Sequence, residues 1–134
     1  LFENELNLEN KNLKKYKNVY LVLLSNDVRK LKLEKKVLDY KSEIINDQKK
    51  RFEELQIIDE VKFQTLVTEI NSFDVVHPCI GENFSFLNTI RKKRNLKLNF
   101  VLSEEDKFSW QFSNKGFFNF KNNIPKILTS FKLQ

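Results

Sequence analysis

Methionine is absent from this 134-residue chain, histidine and cysteine occur once each, and glycine and proline twice each. A lone His77 and a lone Cys79 cannot by themselves build a His/Cys metal cluster. One cysteine also rules out an intrachain disulfide and suits a reducing compartment. Gly81 and Gly116 stand too far apart for a glycine-rich phosphate loop. The longest apolar run, Val19 to Leu24, falls well short of the roughly 18 residues that cross a bilayer. No basic-then-apolar leader opens the chain. With no Met even at position 1, the sequence is expected to be a piece of a longer protein.

What is present divides unevenly. Residues 1–71 contain neither Gly nor Pro and are nearly balanced in charge, whereas residues 72–134 are strongly basic and hold 10 of the 13 Phe and the only Trp. The net charge of the whole chain is +6. Proline breaks helices and glycine weakens them, so their absence predicts one long helix over 1–71. Its apolar residues follow two heptad registers. Leu6, Leu13, Tyr16, Tyr20 and Leu23 form the first; Leu24, Val28, Leu31, Leu38, Ile45 and Phe52 form the second. These eleven positions are the candidate partner-binding seam, and the expected partner is another coiled-coil chain. Val19 to Leu24 would be apolar on every face of a helix. It reads as a junction with further subunits, as a short buried strand, or as a helix packed on its own chain.

After Asn71, alternation of apolar and polar residues replaces helical spacing. Four strands are expected: Phe73–Val76, Asn83–Phe86, Leu96–Leu102 and Phe108–Phe112, with Ser103–Asp106 as a turn. A closing helix follows Asn122-Asn123, with Pro125 in its first turn. Its apolar face is Ile124, Ile127, Leu128 and Phe131. The expected fold is α+β: a coiled-coil helix (1–71), then a small head (72–134) whose four-stranded antiparallel sheet is covered by the C-terminal helix.

Few residues carry chemistry. His77 and Cys79 raise a Cys–His nucleophile pair, but Pro78 disturbs the shared strand face, and a small buried Cys with a partly exposed His is the commoner outcome. Glu104, Glu105 and Asp106 lack the spacing of a calcium loop. No catalytic residue, cofactor, metal, small-molecule substrate or membrane contact is expected. Arg91-Lys92-Lys93-Arg94 is the sharpest charge feature, expected on an exposed connection where it either grips an anionic partner or is simply solvated. An acidic protein surface suits it as well as nucleic acid does, and the alternative function it suggests is a nucleic-acid- or microtubule-surface-binding module.

Three stretches carry a family resemblance: Gly81-Glu82-Asn83-Phe84-Ser85-Phe86 as a Gly-then-strand opening, Leu96 through Phe108 as strand, acidic turn and strand, and Asn122-Asn123-Ile124 through Phe131 as a closing helix. Together with the expected coil they resemble kinetochore proteins with RWD-type heads, nearest the spindle-pole-component pair of the four-protein outer-kinetochore complex. The stretch from Ser113 to Asn122 departs from that pattern in being too short for the extra helix such heads often carry. The resemblance implies a nuclear, non-catalytic scaffold. Its coil would pair with a sister subunit bearing a similar head, its Val19–Leu24 region would meet the other dimer, and its head would dock at the centromere.

Overall fold

A computed structural model describes residues 1–5, 8 and 13–132. It divides into two compact units, Leu1–Phe100 and Val101–Gln134.

The first unit corrects the expected long helix. A 3-10 turn (Leu13–Lys15) leads to strand β1 (Val19–Val22), helix α1 (Lys35–Arg51), strand β2 (Leu55–Ile58) and helix α2 (Glu60–Glu69). The longest of these helices, α1, has 17 residues. Three physical features divide the stretch. The β-branched and aromatic run Val19-Tyr20-Leu21-Val22 suits a strand buried on both faces, so of the readings open for it the buried strand holds. Asn26 closes the following loop: its Nδ2 donates to the Leu33 carbonyl, and the Leu33 N–H donates to its Oδ1, both at 2.9 Å. Asp59 caps α2 by accepting from the Lys62 N–H at 2.7 Å.

β1 and β2 pair in parallel, from Val19 opposite Leu55 to Val22 opposite Ile58, with α1 as the crossover. Alternation along the strands feeds two cores. Val19, Leu21 and Leu55 join Leu8, Leu13 and Ile45 of α1 on one face. Val22 and Ile58 join Phe2, Leu24, Phe63 and Val67 on the other. Phe2 also bridges Val22 in parallel, adding backbone pairing at the second edge of β1.

A second strand–helix–strand follows: β3 (Ser72–Val76), α3 (Glu82–Arg94) and β4 (Lys97–Val101). β3 pairs with β4, in parallel, and the Lys97 N–H donates to the Asn71 carbonyl at 3.0 Å. β3 and β4 match two expected strands, but the sheet is neither antiparallel nor four-stranded. Residues 83–86, expected as a strand, open α3. The alternation of Phe84 and Phe86 misleads there, because Phe86, Leu87 and Ile90 also lie at helical spacing, with Leu87 and Ile90 buried and Phe86 packed against them. Gly81 precedes the helix at φ +124°, a backbone conformation that strains any residue with a side chain. Asn95 ends the helix in the left-handed region, with the Leu96 N–H returned to the Arg91 carbonyl at 3.2 Å.

The second unit holds α4 (Glu104–Ser113) and α5 (Phe117–Ser130). Both correct the expected head. Phe108–Phe112 is helix rather than strand, because Ser103 caps it by accepting from the Asp106 N–H at 3.0 Å and the acids of the expected turn fill its first turn. The last helix is present but starts earlier, so Pro125 sits in its interior. Phe108 meets Phe112 and Phe131 edge-on at 5.5 and 5.6 Å, which joins the two helices. An RWD-like head is therefore not formed.

Candidate functional site

Parallel strands gather functional loops at their carboxyl ends. The loop that leaves β1 there is held by carboxylates from three other segments. Glu3, only 2% exposed, accepts from the Leu24 N–H at 2.9 Å and pairs with Arg29 and, at 3.1 Å, Lys41. Arg29 also donates to the Leu24 carbonyl at 2.9 Å. Glu60, at the start of α2, accepts from both the hydroxyl and the N–H of Ser25. Burial pushes the Glu60 carboxyl up, but the Ser25 hydroxyl and N–H, with the N–H of Glu60 itself, outweigh it and hold the group below its ordinary value. Glu82, at the start of α3, accepts from the N–H groups of Lys30 and Leu31 at 3.0 and 3.1 Å.

The pinned loop forms one wall of a cavity of about 360 Å³. Val28 and Lys30 line it from the loop and Gln64 from α2. Helix α3 supplies the rest: Glu82, Ser85, Thr89 and Lys93, with Phe86 and Ile90 beneath. Lys93 belongs also to the basic turn. Arg91, Lys92, Lys93 and Arg94 form the last turn of α3, and all four are exposed. The basic residues expected on a connection are thus on a rigid helix end, adjoining the cavity.

The eleven seam positions scatter. Leu6 lies outside the described residues. Leu13, Leu24 and Ile45 are buried in this chain's own cores, against which Tyr16, Tyr20, Leu23 and Phe52 pack. Val28 and Leu31 are exposed on the loop, and Leu38 is half-buried on α1. No single stripe joins them, because the long helix that would align them is not formed. Most of the Val19–Leu24 run is likewise core rather than an outward junction.

Of the partly exposed His and small buried Cys expected here, only the first is found, His77 being half-buried. The His77 Nδ1 accepts from the Cys79 backbone N–H at 3.1 Å, while the ring packs on Phe84 and Phe100. Cys79 is exposed, not buried, with φ +56°. Among the described residues no three His, Cys, Asp or Glu side chains gather where a metal ion would be held. No described helix is long and apolar enough to cross a membrane. Asp74 on β3 accepts from Asn99 at 3.0 Å and Tyr16 at 2.9 Å, and these bonds hold its carboxyl below the ordinary value.

Sequence reasoning missed Lys30, Glu82, Ser85 and Thr89. The signal was available only if 82–94 were taken as helix, for then Glu82, Ser85, Thr89 and Lys93 recur at i, i+3, i+7 and i+11. No family model, curated protein or solved structure matches the chain.

Proposed function

We propose that this protein is a non-catalytic adaptor that grips an acidic segment of a partner protein through the basic end of α3. One observation carries the reading: four exposed cations crowd one helix turn whose nearest helical acid, Glu82, is engaged at the opposite end of α3. The helix dipole favours cations there and accounts for part of the placement. Four consecutive residues of a helix fan through about 300°, so a stiff flat surface meets only some of them. A flexible acidic segment can wrap all four.

The coiled-coil pairing expected from sequence does not enter this proposal, since its helix is absent. A kinetochore role does not enter either, because the Gly81–Phe86 and Phe108 stretches that carried the resemblance as strands are helical.

Solvent-exposed ion pairs contribute about 0.5 kcal/mol each. Four together give about 2 kcal/mol, or roughly 30-fold in affinity. Titration of the chain with a fluorescent glutamate-rich peptide tests this. Replacing Arg91, Lys92, Lys93 and Arg94 with Gln should weaken binding roughly 30-fold and flatten its salt dependence. Unchanged affinity overturns the reading. Tighter binding to single- or double-stranded DNA than to the peptide, lost in the same variant, replaces it with nucleic-acid recognition.

A further inference from the structure

The groove along α3 contains groups that a purely electrostatic grip leaves unused. Glu82 spends one carboxylate oxygen, Oε1, on the loop N–H groups of Lys30 and Leu31. Its other oxygen, Oε2, is buried and has no hydrogen-bond partner among the described residues. A buried carboxylate oxygen without a donor is costly, and such exceptions call for a specific explanation. Beside it, Phe86 and Ile90 offer an apolar floor, and Val28 an apolar rim that is 38% exposed. At the far end stands Lys93, shared with the basic turn. Eleven residues of helix separate Glu82 from Lys93, about 16 Å. That is the length of about five residues of extended chain.

We infer that this groove seats the acidic segment in extended form. One apolar side chain of the segment rests on Phe86 and Ile90. The acidic side chains reach Lys93 and the basic turn. The inference rests on the adaptor reading and adds to it an apolar anchor. Lys30, near Glu82, gives the near end of the groove a cation of its own and favours further acidic residues there.

Four blocked fluorescent peptides test it: one leucine next to four glutamates, in both sequence orders, and the same two with serine in place of leucine. Burial of the leucine should make that peptide bind at least tenfold more tightly in one order. Ser85→Tyr fills the groove from an exposed position and should erase the advantage, so that leucine and serine peptides bind this variant with equal affinity. Thr89→Tyr is the second variant if the first fails to fold by thermal melting. Equal affinity of leucine and serine peptides, or an advantage that survives a folded groove-filling variant, overturns the groove while leaving the adaptor reading intact. Failure of every peptide to bind, or binding indifferent to loss of the four basic side chains, overturns the adaptor reading and the groove with it.

Discussion

At the scale of single residues, the loop after β1 depends on carboxylates. Glu3 is buried between Arg29 and Lys41, and taking charges out of water is repaid only while the partners remain. Glu3→Ala strands the Arg29 guanidinium, whose side chain is 5% exposed. A loss of about 3–5 kcal/mol is expected in chemical denaturation. Glu60 carries a pH signature. Its folded-state value lies below the unfolded one, so its contribution is complete above the ordinary Glu value and is lost as pH falls through the folded value. Denaturant melts across mildly acid pH should show stability falling below about pH 4.3. In Glu60→Gln that part of the slope should vanish, while Glu60→Ala, which leaves the Ser25 N–H without its acceptor, should cost about 1–3 kcal/mol.

Secondary-structure elements carry predictions of a different kind, because they concern how a face is covered. β1 places Leu21, fully buried, among Leu13, Ile45 and Leu55. Leu21→Ala should destabilise the first unit by about 2–5 kcal/mol, since a two-strand sheet held between layers cannot collapse freely into the gap. In α5, Pro125 lacks the N–H that would bond the carbonyl four residues earlier, and proline in a helix interior costs about 3 kcal/mol. Pro125→Ala should raise helix content by circular dichroism and slow amide exchange around residues 121–125. No gain in either would show that the helix is already bent to accommodate the ring.

Across the whole molecule the distribution of burial separates the two units. The first holds every residue of both core clusters, whereas neither α4 nor α5 contains a fully buried residue. Trp110, Phe117 and Phe118 are exposed there, the last two at 70 and 76%. Local opening is easiest where little apolar area is buried. Native-state hydrogen exchange should therefore find α4 and α5 amides exchanging at least tenfold faster than those of Leu21, Val22 and Ile58. Equal protection throughout would mean that the second unit is covered by something other than its own side chains.

Several features were legible in the chain itself. Alternation predicted β3 and β4, because Phe73 and Val75 on one strand and Leu98 and Phe100 on the other pack inward while Asp74, Lys97 and Asn99 stay exposed. The exposure of Arg91–Arg94 followed from charge alone, since four adjacent cations cannot be buried unpaired. The apolar run at Val19 left strand and helix open, for a segment buried on all sides has no period to read. What only the tertiary structure decided was the division of residues 1–71. Absence of Gly and Pro permits a long helix but does not require one, and β1 and β2 exist because each pairs with a strand far away in sequence. The same holds for the groove. Glu82 and Lys30 are brought together by a hydrogen bond between a loop and a helix 52 residues apart in the chain, and no local pattern records a contact formed by packing.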